Sequence, residues 1–427
     1  MTPLQIWEIF QFNFHCMNKT TKIIITAIII IMLAAGFFAF WAGKKPAGTV
    51  SESNVIGGFP ESGENAGSAF PEISGGSPNS PKSSRNGKEF SENILTQLTE
   101  NSISGAAYYG TTTALYMERA TGHIYKINLD GTNKIRLSNA TVPKSFEAVW
   151  SYKSDKMAVR YFEDPATGSV KLTVKTFLAS IGHLLKATST LEAELKGLAL
   201  PATVSEIAVS PAEDKVFYLN NLGNDSVEGV VADFGNKNQK KIFELPFGEF
   251  NISWPAKDNI ALLAKPSAKA DGYLYFLNSK TGALTRILGG VKGLTAVVSP
   301  GGENIVFSGI GREGVESKIY NVKNKTVSNL GFAVLADKCA WGRKNKNMIY
   351  CAVSAKKPDN NQPDGWYQGV VSFDDGVWSK NISTGESKNI LSRFGADIMN
   401  IFVSSDENYL IFTDKNDGTL WSLKLKE

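Results

Sequence analysis

Histidine and cysteine are scarce in this sequence. Its 427 residues include three histidines, His15, His123 and His183, which lie far apart along the chain. A metal site built from several histidines is therefore not expected, and the sequence indicates neither a metal nor a cofactor. A concentrated basic region is also missing, because 45 basic and 41 acidic residues are spread along the chain. Proteins that bind nucleic acid usually gather their basic residues on one element, so no nucleic-acid partner is predicted.

The three cysteines leave two interpretations open. Cys16 precedes an apolar run, whereas Cys339 and Cys351 lie on the two sides of the polar turn at 343–347. If that turn is a hairpin, the two cysteines face each other and can form a cross-strand disulfide. The alternative is a pair of buried thiols in neighbouring strands, which is a common environment for free cysteine.

An uncharged segment near the N-terminus predicts a membrane anchor. Ile23–Trp41 contains no charged residue. As a helix that rises about 1.5 Å per residue, it spans roughly 29 Å, the thickness of a bilayer core. Bulky residues at its end do not fit a signal-peptide cleavage site. We therefore expect residues 23–42 to form an uncleaved anchor that contacts the lipid bilayer through Ile23–Trp41.

The segments around the anchor predict how the chain is placed. Residues 1–22 form a short tail, within which Met17 is an alternative start, and the N-terminus is expected in the cytoplasm. The large remainder is then expected outside the cytoplasm, on a bacterial cell membrane. Residues 43–90 are rich in Gly, Ser and Pro and predict a flexible, disordered linker. Residues 91–103 begin with a suitable N-cap residue and carry apolar residues at helical spacing, which predicts a short helix.

One strand–turn–strand pattern recurs in the rest of the chain, residues 104–427. An apolar strand ends in a pair such as Ser-Pro, a polar turn follows, and a second apolar strand begins. The last apolar residues before the turns are Trp150, Val209, Trp254, Val298, Trp341 and Val403. The central copies are about 44 residues apart, which is typical of a four-stranded blade of a β-propeller.

These copies resemble the repeat of TolB-type, WD-like propellers, in which an apolar residue is followed by Ser-Pro-Asp-Gly. Val209-Ser-Pro211 and Val298-Ser-Pro-Gly301 match that repeat best, and the copies at Trp150 and Val403 match it in part. The arrangement with an anchor also resembles uncharacterised bacterial membrane-anchored propeller proteins. The resemblance implies the fold. It implies no single function, because such repeats occur in scaffolds, surface proteins and peptidase gates.

The predicted fold is all-β, a propeller of seven four-stranded blades, with six or eight blades as alternatives. Six blades come from the six copies, and one more comes from the strands at 106–138. The final unit lacks an outer strand. We expect a strand near Ser104–Tyr109 to supply it and close the ring.

Binding residues are predicted where the pattern is interrupted. A long loop joins the second and third strands of the sixth blade, and it contains an aromatic pair flanked by carboxylates. The candidate binding residues are Asp364, Trp366, Tyr367, Asp374 and Asp375. An exposed pair of this kind is typical of a recognition loop. The alternative, which we favour, is a structural flap whose aromatic side chains fold down onto the ring.

The predicted function is a non-enzymatic, membrane-anchored module that binds a protein or a polymer of the cell envelope. The alternative is a carbohydrate-binding, ligand-binding or sensing module with its site at the propeller mouth. A hydrolase is the least favoured reading, because the chain has no room for the separate domain that carries a Gly-x-Ser-x-Gly nucleophile. The acidic stretch Asp414–Gly418 lacks the ligand spacing of a calcium loop and is interpreted as a hairpin turn.

The predicted anchor can be tested with the full chain. We expect the protein to stay with membranes after an alkaline carbonate wash and to be released by detergent, because a spanning helix holds it more strongly than surface charge does. A chain that begins at Lys88 is the control and should be recovered in the soluble fraction. Recovery of the full chain in the wash would contradict the anchor. N-terminal sequencing of the same preparation tests the start at Met17.

Overall fold

The structure is a computed structural model, and it describes residues 94–164, 172–186, 194–212 and 214–425. The predicted tail, anchor and linker lie outside these residues. In the part of the chain that is described, no helix is long and apolar enough to cross a membrane.

The described residues form seven antiparallel sheets of four strands each, which confirms the predicted seven-bladed propeller. In chain order the strands are β1 (Leu95–Gln97), β2 (Ile103–Tyr109), β3 (Thr113–Glu118), β4 (Ile124–Asn128), β5 (Ile135–Arg136), β6 (Ser145–Trp150), β7 (Lys156–Glu163), β8 (Thr173–Ser180), β9 (Lys196–Ala199), β10 (Val204–Val209), β11 (Lys215–Gly223), β12 (Ser226–Asp233), β13 (Lys240–Leu245), β14 (Phe250–Ala256), β15 (Asn259–Ala264), β16 (Asp271–Asn278), β17 (Leu284–Lys292), β18 (Thr295–Val298), β19 (Asn304–Gly311), β20 (Gly314–Asn321), β21 (Thr326–Asn329), β22 (Cys339–Trp341), β23 (Met348–Ser354), β24 (Asp375–Asn381), β25 (Ser387–Leu391), β26 (Ile398–Val403), β27 (Tyr409–Asp414) and β28 (Leu420–Lys424).

Six blades are built from four consecutive strands, starting with β2–β5 as blade 1 and ending with β22–β25 as blade 6. Blade 7 consists of β26, β27, β28 and β1. The first strands of several neighbouring blades contact one another, so they lie innermost, around the axis of the ring. The described residues also contain three short helical turns, Leu184–Lys186 and Ala336–Lys338 in 3₁₀ geometry and α1 (Asp364–Tyr367).

The second strand of each blade shows why the ring is needed. In β7 the consecutive residues Met157, Ala158 and Val159 are all fully buried, as are Leu410 and Ile411 in β27. Successive side chains of a strand point to opposite faces of its sheet, so both faces of these sheets are covered. Each apolar core therefore lies between two neighbouring blades rather than within one blade.

The serine of the repeated pattern has a structural role. The hydroxyl oxygens of Ser151, Ser299 and Ser404 each accept a hydrogen bond from the backbone N–H five residues further on, at 2.9–3.1 Å. This contact satisfies a backbone donor inside the turn, as side chains of serine often do. The recurring serine is thus explained by the hairpin between the first two strands and does not indicate a catalytic nucleophile.

Ring closure differs from the prediction. The strand that completes blade 7 is β1, in which Leu95 pairs with Leu423 of β28. The short helix expected over 91–103 is therefore wrong for the described residues, and the segment Ser104–Tyr109 belongs to β2, the innermost strand of blade 1. The free edge of β28 offers a row of backbone hydrogen bonds, and this tertiary pairing outweighs local helical spacing.

Two local predictions are resolved by the structure. Cys339 and Cys351 lie directly opposite each other in β22 and β23 and form a disulfide bond. Of the two interpretations of these cysteines, the structure therefore contains the cross-strand disulfide. The stretch Asp414–Gly418 is a hairpin turn, closed by a hydrogen bond of 2.7 Å from the Gly418 N–H to the Asp414 carbonyl oxygen.

The closing strand can be tested by substitution. Leu95 is buried between blades 6 and 7, with 5% of its surface exposed. We expect Leu95→Ala to lower the free energy of unfolding by about 2–5 kcal/mol, because it leaves a cavity in that core. Gln97→Ala, in the same strand but exposed, should cost about 1 kcal/mol or less. Chemical denaturation followed by tryptophan fluorescence measures both. Equal losses would argue against closure by β1.

Candidate functional site

The predicted recognition loop forms a flap on one face of the ring. The flap, residues 355–374, joins β23 to β24, the second and third strands of blade 6, as predicted. It reaches two neighbouring blades. The Pro358 carbonyl oxygen accepts a hydrogen bond from the Val315 N–H at 2.9 Å, and the Asp364 carboxylate accepts one from the Ala268 N–H at 2.5 Å. The flap is therefore fastened to the ring rather than projecting from it.

The aromatic pair is split between interior and surface. Trp366 is buried, with 5% of its surface exposed, and it packs against Val315 and Leu335. Tyr367 is 40% exposed, and its hydroxyl donates a hydrogen bond to the Asp337 carboxylate. The expectation of an exposed Trp-Tyr pair is thus wrong for Trp366. The placement of this side chain is the one expected for a structural flap.

Asp374 and Asp375, the adjacent carboxylates of the predicted set, differ in burial. Asp374 is exposed and accepts a hydrogen bond from the Gly395 N–H at 2.9 Å. Asp375 is fully buried and accepts one from the Ile398 N–H at 2.8 Å. These two carboxylates therefore hold the connector that leads to β26. Together with the inward orientation of Trp366, this means that the five candidate residues do not share one binding surface.

Three buried charged residues lie beneath the flap, and we call Lys338, Asp375 and Asp397 the buried triad. The Lys338 Nζ is 2.8 Å from Asp375 Oδ2 and 2.5 Å from Asp397 Oδ1. Trp366 Nε1 donates to both oxygens of Asp397 at 3.0 Å. Burial raises the pKa of Asp375 to about 6, although the nearby Lys338 ammonium acts in the opposite direction. The triad links the flap to the connectors that enter blades 6 and 7.

A second candidate site is a cavity of about 470 Å³ on the opposite side of the ring. Residues of six blades line it, so it lies on the axis, and it opens among the hairpin turns between first and second strands. We call this cavity the channel mouth. Its aromatic lining residues are Tyr108, Trp150, Tyr152, Trp254 and Phe402. Mixed aromatic and polar walls of this kind are typical of ligand-binding cavities.

Arg343 is the cation among the residues that line the channel mouth. Its guanidinium lies 4.4 Å from the ring centre of Tyr108 and 5.5 Å from that of Tyr152. Within the described part of the chain it forms no ion pair. The lining carboxylate, Glu147, is already paired with Arg160 at 2.7 Å. The mouth therefore presents a positive charge that no carboxylate of the described residues neutralises.

The hairpin that carries Arg343 is held by a neighbouring blade. Glu407 of blade 7 is 5% exposed, and its Oε1 accepts hydrogen bonds from the Lys344 and Asn345 N–H groups at 2.6 and 2.8 Å. Trp150 Nε1, also at the mouth, is buried and has no partner among the described residues. Blade 7 therefore fixes the backbone of the hairpin next to Arg343.

None of the candidate binding residues predicted from the sequence lines the mouth, yet the sequence contains a signal for it. When the copies are aligned on the residue before the turn, Tyr152 and Arg343 occupy the position of the proline in the Ser-Pro copies, such as Pro211. The fold of the turn does not require a particular residue at this position, so a side chain there is free to face the axis of the ring. The signal was missed because Tyr152 and Arg343 are 191 positions apart and meet only in the closed ring.

Among the residues that the structure describes, no group of three or more His, Cys, Asp or Glu side chains is placed to hold a metal ion. No family model matches this chain, and no curated protein matches it either.

Solved structures show the shared architecture. An oligogalacturonate lyase from Vibrio parahaemolyticus superposes with a TM-score of 0.54 at 8% identity, over 79% of this chain and 95% of that chain. An oligogalacturonate lyase in complex with manganese superposes with a TM-score of 0.53 at 11% identity. The match covers 78% of this chain and 93% of that chain. TolB from Acinetobacter baumannii superposes with a TM-score of 0.41 at 9% identity. The match covers 75% of this chain and 65% of that chain. The two lyase superpositions support the propeller fold, and at such low identity they indicate nothing finer.

The flap can be tested by truncating its two aromatic residues separately. We expect Trp366→Ala to lower the free energy of unfolding by about 3–5 kcal/mol, because it removes a buried ring and the indole N–H that donates to Asp397 Oδ2. Tyr367→Ala, at the exposed neighbour, should cost less, about 1–2 kcal/mol, because it removes surface packing and one hydrogen bond to Asp337. Chemical denaturation compares the two variants. A stable Trp366→Ala protein would indicate that the flap is not held by this residue.

Proposed function

We propose that this protein is a membrane-tethered, non-enzymatic binding propeller whose channel mouth takes an anionic group of a protein or polymer of the cell envelope. The observation that carries the proposal is the guanidinium of Arg343, which forms no ion pair among the described residues and lies near the rings of Tyr108 and Tyr152 in the lining of a cavity of about 470 Å³. Arginine recognises carboxylate and phosphate groups through two parallel hydrogen bonds, so an anionic ligand would neutralise this charge.

The aromatic lining supports the binding of a ring or an extended chain next to the anionic group. Tyr152 is 57% exposed at the rim, where its ring is free to pack against a ligand. Aromatic side chains contribute large contact areas at a small loss of conformational entropy. The alternative function predicted from the sequence, a ligand-binding module, also has its site at the propeller mouth. The proposal therefore keeps the predicted non-enzymatic binding role and places the site at the mouth.

The location outside the cytoplasm is part of the proposal, and two observations support it. Ile23–Trp41 is long and apolar enough for an anchor. The Cys339–Cys351 disulfide lies in the folded domain, and disulfides persist mainly in oxidising compartments such as the bacterial periplasm or the cell surface.

The proposal can be tested with the full chain, purified in detergent, on arrays of anionic and neutral glycans and of acidic and neutral peptides. We expect binding to carboxylated or phosphorylated members and weaker binding at higher salt. Arg343→Gln should weaken that binding by about tenfold or more, because a charge-assisted contact is lost. Binding constants for each hit measure the effect, and the two arms of the array distinguish a polymer ligand from a protein ligand.

Lys344→Gln is the matched control, since it makes the same change of charge at the next residue, which is exposed. It should leave the binding nearly unchanged. Equal weakening by the two substitutions would indicate nonspecific attraction to a basic surface and would contradict a site at Arg343. Binding to neutral members alone would contradict the anionic ligand.

A further inference from the structure

The buried triad places an amine between two carboxyl groups, away from water. Lys338 is 1% exposed, and Asp375 and Asp397 are fully buried. Fully ionised, the three groups would carry one uncompensated negative charge in the protein interior. Burying ions is costly even when they are paired. A reaction that removes the ammonium together with one carboxylate would relieve this cost.

The surroundings of the triad meet the chemical requirements for an amide bond between lysine and aspartate. The Lys338 amine touches both carboxyl groups. The rings of Trp366 and Phe373 lie 4.7 and 5.1 Å from its Nζ and cover the amine. An uncharged amine and a carboxylic acid are the forms that react, and one proton transfer between the touching groups produces both.

Asp375 has the properties of an acid–base group for such a reaction. Its Oδ2 is 2.8 Å from the Lys338 Nζ, within reach of the proton that must leave. Its Oδ1 is buried and has no partner among the described residues, and burial raises its pKa to about 6. A carboxyl group with a pKa near neutrality can both accept a proton and return it.

We propose that Lys338 and Asp397 become joined by an intramolecular isopeptide bond, which forms without another enzyme and with Asp375 as the acid–base catalyst. Transfer of one proton from the Lys338 ammonium to the Asp397 carboxylate leaves an amine and a carboxylic acid. The Nζ then attacks Cγ of Asp397, and a C–N bond forms. Asp375 takes the second proton from the nitrogen and delivers it to the departing hydroxyl group. The C–O bond breaks, one water molecule leaves, and Asp375 is regenerated.

Trp366 supports this reaction by its position. Its Nε1 donates to both oxygens of Asp397 at 3.0 Å, so a donor already faces the oxygen that becomes negatively charged in the tetrahedral intermediate. Donors fixed in this way stabilise the transition state of acyl transfer. The same N–H can remain bonded to the carbonyl oxygen of the product.

The bond would join two connectors of the ring. Lys338 ends the turn that leads into blade 6, and Asp397 directly precedes β26 of blade 7. All of blade 6 and its flap would lie inside the covalent loop from residue 338 to residue 397. The Cys339–Cys351 disulfide begins at the next residue, so two cross-links of different chemistry would secure the same blade.

Mass spectrometry of the full chain, purified in detergent, reduced and denatured, tests the proposal. We expect a mass lower than that of the sequence by one water molecule, and a proteolytic digest in which a branched peptide joins Lys338 to Asp397. The exposed ion pair of Lys280 and Asp258, at 2.9 Å, is the internal control and should yield two separate peptides. Linear peptides with free Lys338 and Asp397 would overturn the proposal, and the triad would then be an ion cluster only.

Variants assign the roles. Lys338→Arg keeps the cation but cannot form this amide, and its mass should equal that of its sequence. Asp397→Asn should give the same branched peptide with loss of ammonia instead of water. Asp375→Asn should give linear peptides only, and a cross-link in this variant would refute the catalytic role of Asp375. The mass spectrum of the unsubstituted protein shows whether the isopeptide bond is present, even if a variant fails to fold.

Discussion

A blade of this protein cannot bury both faces of its sheet alone, and the rest of the structure depends on that constraint. Consecutive residues such as Met157 and Ala158 point to opposite faces, yet both are fully buried. The only cover for a blade is therefore another blade on each side. A ring provides this cover for every blade at once, whereas an open row would leave its two terminal sheets exposed. The 3-residue strand β1 is small, but it completes the blade at which the ring closes.

Blade 6 departs most from the regular pattern. It contains the disulfide, it carries the flap between β23 and β24, and its entering turn contributes Lys338 to the buried triad. Burying an amine and two carboxyl groups gains little stability on its own, since loss of hydration offsets most of the attraction between the charges. What the triad provides is specificity of placement, because the hydrogen bonds from Trp366 to Asp397 hold the flap in one orientation.

The two faces of the ring consequently have different characters. On one face the flap is fastened to the blades, and its most promising side chain, Trp366, points inward. On the other face short hairpins surround the channel mouth, and the guanidinium of Arg343 is available there. Regular repeats thus form the cavity at the channel mouth, whereas in the flap, which interrupts the repeat, Trp366 is buried and has a structural role. The regular turns also form a cavity, because a ring brings turns from most of its blades to the axis.

Local sequence determined much of this fold. The recurring turn predicted the blade, the strand composition predicted its four strands, and the spacing predicted seven units, because these features depend on hydrophobic alternation and turn chemistry within short segments. Tertiary structure decided the rest. The residues before β2 carry apolar spacing that fits a helix or a strand, and only the free edge of β28 selects the strand. Likewise, Trp366 and Asp375 look like surface residues of a polar loop until Lys338 and Asp397, supplied by other segments, form their surroundings. The burial of Trp366 and Asp375 arises from contacts between residues that are distant in sequence. The same is true of the cluster formed by Tyr108, Tyr152 and Arg343, and local periodicity does not encode such contacts.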